Sequence, residues 1–113
     1  MHEMAIAQGI LDIALDNAAR HGAKTISRIK LLVGEMTEVE PDSLRFCFGA
    51  LAQGTAAAGA ELEIEAVPLV GRCRDCGAEF VIKRFRFLCP ACSSAGVEIL
   101  SGRELKVEHL EVE

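Results

Sequence analysis

Four of the five cysteines in this chain fall into two pairs, Cys73-x-x-Cys76 and Cys89-x-x-Cys92, with twelve residues between them. A Cys-x-x-Cys turn presents two thiols to one side, and two such knuckles close a tetrahedral four-thiolate metal site. Gly77 allows a sharp turn after the first pair, and Pro90 pre-sets one inside the second. Zinc suits four soft thiolates, and iron in a rubredoxin-like site shares the ligands and the geometry. Either ion leaves no open coordination position, so the site is structural and not hydrolytic. Binding the ion contributes directly to folding. Between the knuckles, Phe80, Ile82, Phe85 and Phe87 alternate around Lys83-Arg84, which predicts a hairpin packing its phenylalanines beside the metal.

The remaining residues must supply their own core. The chain has 113 residues, no Trp or Tyr, and five Phe, so that core is built from Leu, Ile, Val and Ala. The length allows one ordinary core plus a small metal-stapled unit. Net charge is -5, with an uneven distribution. Residues 71–103 carry six basic and three acidic side chains, and the rest carries six and fourteen. The excess of acid argues against a nucleic-acid binder. No apolar run reaches eighteen residues and no signal-peptide pattern opens the chain, so a cytoplasmic protein is expected. The two Cys-x-x-Cys pairs fit metal thiolates in a reducing compartment better than disulfides. Cys47, between Phe46 and Phe48, reads as a small buried hydrophobe.

A helix is expected over Glu3 to Arg20, with Met4, Ile6, Ile10, Ile13, Ala14 and Asn17 on its apolar side and Leu11 and Ala18 widening it. His21-Gly22 stops it. Residues 25–33 read as a strand with Ile29, Leu31 and Val33 on one face, and Ile26, Arg28, Lys30 and Leu32 on the other. Pro41 reads as the first residue of a second helix ended by Gly54, with Leu44, Phe48, Leu51 and Ala52 inward and Phe46 and Cys47 widening the apolar face. Leu62, Ile64 and Ala66 alternate with Glu61, Glu63 and Glu65, giving a strand with one acidic face. In the last strand, Glu104 to Val112, Leu105 and Val107 have one parity and Leu110 and Val112 the other. A bulge near Glu108-His109 reconciles them. That strand is expected to return to the first sheet. The fold class is then α+β: a small three-stranded mixed sheet packed with two helices, residues 1–69 plus 103–113, with residues 70–102 as an inserted zinc-ribbon module.

Met1-His2-Glu3 offers a second kind of metal chemistry. A terminal amine, the His2 backbone nitrogen and its imidazole Nδ1 form fused chelate rings. One more donor from Glu3 completes a plane that suits Ni(II) or Cu(II). A lone His2 is more often a plain surface residue, and Glu3 also suits the positive end of a helix. No phosphate-binding loop, dinucleotide fingerprint or HExxH is present, and His2, His21 and His109 join no nucleophilic motif, so an enzyme is not expected.

Taken together, several features resemble the HypA/HybF family of hydrogenase-maturation nickel metallochaperones. They are Met1-His2-Glu3 opening a helix, Val33-Gly34-Glu35, Glu40-Pro41 before Leu44-Arg45-Phe46, and the knuckles with Cys89-Pro90. Gly102-Arg103-Glu104-Leu105 and the ending Glu111-Val112-Glu113 complete the set, which spans essentially the whole chain. The resemblance implies transient Ni(II) cargo held by Met1, His2 and Glu3, and structural Zn(II) held by Cys73, Cys76, Cys89 and Cys92. It implies work with the GTPase HypB, delivery to the large subunit of [NiFe]-hydrogenase, and in some members contact with urease maturation proteins. The competing reading is a nonenzymatic zinc-ribbon adaptor that binds protein or nucleic acid.

Overall fold

A computed structural model describes residues 2–113; Met1 lies outside the described residues. The elements run α1 (Glu3–Arg20), β1 (Ile26–Gly34), a 3-10 turn (Glu35–Thr37), α2 (Pro41–Ala52), β2 (Glu61–Val67), β3 (Val70–Cys73), β4 (Glu79–Val81), β5 (Val97–Ser101) and β6 (Leu105–Val112). Two three-stranded sheets result, one ordered β2-β1-β6 and the other β4-β3-β5. In the first, β1 pairs parallel with β2 and antiparallel with β6, so that sheet is mixed. Both helices pack on it, giving the α+β architecture expected from the sequence. No described helix is long and apolar enough to cross a membrane.

Hydrophobic periodicity explains which face of the first sheet is covered. Ile29, Leu31 and Val33 are buried in the central strand. On one side they stand opposite Leu62, Ile64 and Ala66, and on the other opposite Leu110, Val107 and Leu105. Val107 and Leu110 share this face because Glu108 is an extra residue: Lys30 pairs with His109 and Leu31 with Val107. The bulge therefore falls where the parity conflict requires it. A second register shift skips Ser27 and turns Ile26 inward, where it is buried, although simple alternation puts it with Arg28. Ala66, at the far end of its row, is exposed despite its inward parity.

The helices meet this face through a narrower stripe than the sequence suggests. Ala7, Ile10, Leu11, Ala14 and Ala18 are buried, and the three alanines let α1 lie close to its neighbours. Met4 and Ile13, expected inside, are each 49 % exposed, because a stripe centred on residues 7, 14 and 18 turns them to the side. Leu44, Phe48 and Ala52 anchor α2, while Phe46 lies on its outer side and is 77 % exposed rather than widening the core. Cys47 is half-buried against the core. A Cβ at Gly9 would meet nothing, so that glycine reflects tolerance and not close approach.

The opposite face of the first sheet is open and ionic. Across it run the rows Glu61–Arg28–Glu111 and Glu63–Lys30–His109. Arg28 reaches Glu61, Glu63 and Glu111 at 3.2, 3.8 and 3.6 Å, and Lys30 reaches Glu63 and Glu65 at 3.7 and 3.2 Å. The Glu65 hydrogen bond and the surrounding carboxylates hold the Lys30 ammonium above its ordinary pKa, against a smaller desolvation cost. Two cations thus prevent the carboxylates of β2 from repelling one another.

The second sheet contains only residues between Val70 and Ser101, and it differs from the hairpin expected between the knuckles. Its centre is β3, pairing with β4 and β5 on its two sides. Val-Gly-Arg-Cys does not read as a strand, but Gly71 must lie flat there, since a Cβ would strike Val97 and Ile82. Ile82 is buried, whereas Phe85 is 43 % exposed and Phe80 and Phe87 only half-buried. A turn at Arg84-Phe85 ends the alternation early, so the four apolar side chains do not share one buried face.

The two sheets join at β1's end. The Gly34 amide donates to the Glu104 carbonyl at 2.6 Å, and the Met36 amide to the Gly102 carbonyl at 2.8 Å. The Glu35 carboxylate accepts from the Leu69 amide at 3.4 Å. A Cβ at Gly34 would land on the Gly102 carbonyl, and Gly102 itself needs φ +113 while lying against Leu69. The Glu104 carboxylate closes this turn by accepting from Gly102 at 2.7 Å. Its own backbone N–H and that of Gly102 hold its pKa below the ordinary 4.5.

Gly34→Ala is therefore expected to destabilise the protein by about 1–3 kcal/mol, as overpacking does, measured by urea unfolding. Because Glu104 has a lowered folded pKa, its contribution is complete above the ordinary carboxylate value and disappears as pH falls through the lower folded value. Glu104→Gln is expected to reduce stability at neutral pH and to flatten the acid limb of the unfolding curve. An unchanged acid limb would remove Glu104 from that role.

Candidate metal centres

The end of β3 and the turns flanking the second sheet bring four cysteines to one point. The sulfurs of Cys73, Cys76, Cys89 and Cys92 all lie within 4.8 Å of one another. Cys73 Sγ is 3.5 Å from Cys92 Sγ, and Cys76 Sγ is 3.6 Å from Cys89 Sγ. These spacings are far beyond a disulfide bond of about 2.05 Å. They approach the edge of about 3.8 Å that tetrahedral geometry requires when metal–sulfur bonds are about 2.3 Å. All four cysteines are free thiols, two buried and two exposed.

Both knuckles use one backbone design. In the first, the Cys73 carbonyl accepts from Gly77 at 2.9 Å and the Cys73 amide donates to Ala78 at 2.9 Å. In the second, the Cys89 carbonyl accepts from Ser93 at 2.8 Å and the Cys89 amide donates to Ser94 at 2.9 Å. The residue four positions after each leading cysteine is left-handed: Gly77 at φ 77 and Ser93 at φ 62. The first-knuckle glycine thus has the role its sequence position suggests, and Ser93 is its unrecognised counterpart. Backbone N–H groups point at sulfur, from Cys76 to Cys73 at 3.5 Å and from Ala91 to Cys89 at 3.4 Å. Asp75 and Ser94, one from each knuckle, hydrogen-bond to each other and tie the turns together.

Ionisation within the cluster is unequal. Backbone N–H groups, led by that of Cys76, pull the Cys73 thiol down to about 6. Cys92 is pushed up to about 12: the Ser94 amide favours its thiolate, but the Cys73 thiol, burial and the other two cysteines outweigh that help. Four adjacent thiolates need a cation among them, and these residues fit a tetrahedral thiophilic ion.

The amino-terminal candidates lie elsewhere. His2 is exposed and precedes α1, and its side chain caps no helix N–H. Among the described residues, His2 and Glu3 join no group of three ligand-type side chains. Met1, the remaining candidate, lies outside the described residues. The Glu3 carboxylate instead accepts from the Glu40 amide at 3.3 Å, so the amino ends of α1 and α2 lie side by side. Glu40 caps α2 by accepting from Ser43 at 2.7 Å. That bond holds its pKa below the ordinary value. Both helix ends carry partial positive charge, which Glu3, Glu40 and Asp42 offset.

The other two histidines have local roles. His21 sits at the last turn of α1 with Nδ1 2.8 Å from the Asn17 carbonyl, and His109 lies on β6 beside Glu108 at 3.6 Å.

Comparison with known proteins places this geometry in context. The family model described as "Hydrogenase/urease nickel incorporation, metallochaperone, hypA" matches residues 1–112. The Hydrogenase maturation factor HypA of Chlorobaculum tepidum is 48 % identical, with all of each chain covered. That of Desulfitobacterium hafniense is 44 % identical, covering all of this chain and 99 % of the relative. The solution structure of the Ni metallochaperone HypA from Helicobacter pylori superposes with a TM-score of 0.70 at 23 % identity, covering 99 % of this chain and 97 % of that one. At that identity the superposition establishes the shared fold alone.

Cys76→Ser is expected to lower bound metal per chain and to loosen residues 70–101 while the first sheet keeps its own core. Metal analysis with hydrogen exchange reads both effects. Full metal content, or exchange raised equally in β1 and β3, would contradict the assignment.

Proposed function

This chain belongs to the HypA family of nickel metallochaperones for hydrogenase maturation, and we propose that it carries Ni(II) at its amino terminus while zinc in the four-cysteine cluster holds the small sheet together. Family membership makes it a carrier, not a catalyst. The proposed modules are residues 1–69 plus 103–113 for cargo and 70–102 for structure.

The observation that carries this reading is the separation of two donor sets with different chemistry. The cysteine cluster has four ligands and no open position, which suits a resident ion. The amino terminus has an exposed imidazole on a segment outside the helix, which suits an ion that must leave. The Met1 amine, His2 backbone nitrogen and His2 Nδ1 supply three nitrogen donors. The Glu3 backbone nitrogen can supply a fourth, because the first N–H groups of a helix have no intrahelical acceptor. The Glu3 carboxylate is engaged by Glu40, which supports a backbone contribution from Glu3. A plane of nitrogens favours Ni(II) over Zn(II).

Handing the ion onward requires partners: the GTPase HypB and the [NiFe]-hydrogenase large subunit, with urease maturation proteins as a further set, in a reducing cytoplasm. The acidic segment beside Glu3 is a candidate encounter surface. Three of its four carboxylates have structural tasks: Glu35 binds the Leu69 amide, Glu40 caps α2, and Asp42 lies 3.6 Å from Arg45. Glu38, exposed and left-handed at φ 56, is the one available for steering.

His2→Ala is expected to abolish tight nickel binding and to leave the zinc content unchanged. Residues added ahead of Met1 do comparable damage by removing the amine from the chelate. Protons compete for the amine, the imidazole and the backbone nitrogens, so nickel affinity falls from pH 8 to pH 6 while zinc is retained. Calorimetric titration with parallel metal analysis tests these effects. Unchanged nickel affinity in His2→Ala would refute the site. For the encounter surface, Glu38→Lys is expected to slow association with HypB and weaken its salt dependence without changing nickel binding. Equal association rates at low and moderate salt would move docking elsewhere.

A further inference from the structure

The positive charge of the small sheet has no part in holding either metal, and it is concentrated at one tip. Lys83, Arg84 and Arg86 are exposed within four positions. Among the described residues, the ion pair found in this sheet joins Arg72 to Glu98, and none involves these three. The same segment exposes Phe85 by 43 % and Leu88 by 44 %. Ile82, fully buried just before it, anchors the tip in the small core.

The backbone fixes the shape of this tip. The Arg86 amide donates to the Lys83 carbonyl at 3.0 Å, closing a four-residue turn. Both central residues are left-handed, Arg84 at φ 53 and Phe85 at φ 55. Turns with two positive φ values favour Asn-Gly, which adopts them with little strain. Here an arginine and a phenylalanine are held there instead. Such strain is consistent with a site whose side chains must be presented in one arrangement before binding.

We propose that Lys83–Leu88 is a docking surface for a folded protein partner bearing carboxylates around an apolar pocket that receives Phe85. Residues 83–88 contain no acidic side chain, and among the described residues no carboxylate pairs with the three cations, so a partner's carboxylates can meet them directly. Three cations give only weak purchase on nucleic-acid phosphates, and the acidic sheet repels an extended polyanion. A bilayer accepts an apolar side chain in many orientations and gains little from a rigid turn. A shaped protein pocket gains from the fixed geometry. The delivery role proposed above enters only through the choice of proteins to test.

The experiment measures binding of the full-length, metal-loaded protein to the hydrogenase large-subunit precursor and to HypB from the same organism. Oligo-dT and phosphatidylserine vesicles are the comparison probes. Arg84→Glu with Arg86→Glu is expected to weaken binding to at least one protein by about tenfold or more, and to reduce its salt dependence. Phe85→Gly is the second variant, because glycine accepts the left-handed backbone and removes only the ring. It is expected to fold at least as stably as the parent while binding that partner more weakly. Nickel and zinc titrations of each variant should match the parent, so failure of the tip is distinguishable from failure of the nickel site. The proposal is overturned if the parent binds neither protein, if both variants bind as tightly as the parent, or if the losses are confined to oligo-dT or the vesicles.

Discussion

At Gly34 the central strand of the large sheet runs against the backbone through which the chain returns from the cysteine-bearing sheet. No side chain fits between Gly34 and Gly102, and Leu69 closes the same space from the outgoing linker. The outgoing and returning chains are thereby fixed to the 3-10 turn after β1, through Glu35 and Met36. That turn leads directly to Glu40, whose amide holds Glu3. One backbone contact therefore positions the metal-stapled sheet, the start of α2 and the helix end that carries His2.

The rest of the molecule handles charge at close range, by different means in its two sheets. In the cysteine cluster, backbone N–H groups stabilise Cys73 as a thiolate, but crowding pushes Cys92 the other way. A divalent cation bound by the four sulfurs would resolve that conflict and hold two matching knuckles together. On the open face of the large sheet, Arg28 and Lys30 do the same for a row of glutamates. The elongated molecule, with principal extents of 54, 25 and 16 Å, has a correspondingly small core for its length. Metal and ion pairs supplement what apolar burial supplies in so small a chain.

Much of this was legible in the sequence where one physical rule dominates. The knuckle spacing predicts the four-sulfur cluster, and the parity conflict in β6 predicts the bulge at Glu108. Pro41 marks the start of α2, and the acidic alternation in β2 marks its open face. The failures have equally physical causes. Periodicity does not say how wide a helix's contact stripe is, so it places Phe46, Met4 and Ile13 inward although all three are exposed. The skipped residue Ser27 reverses Ile26 and leaves no mark in the pattern. The strand β3 is hidden because a glycine and an arginine occupy its middle, where the neighbouring strands leave no room for a larger inward side chain. The Glu3–Glu40 bond, like the Gly34–Gly102 contact, joins distant residues and has no local signature.

The central claim is that resident and travelling ions occupy chemically separate sites, sulfur for one and nitrogen for the other. X-ray absorption of a single nickel-loaded sample, collected at both the nickel and zinc edges, tests it most directly. The account predicts zinc surrounded by four sulfurs at about 2.3 Å and nickel surrounded by nitrogen or oxygen with no sulfur neighbour. Sulfur scattering at the nickel edge, or nitrogen and oxygen replacing sulfur around zinc, would contradict it.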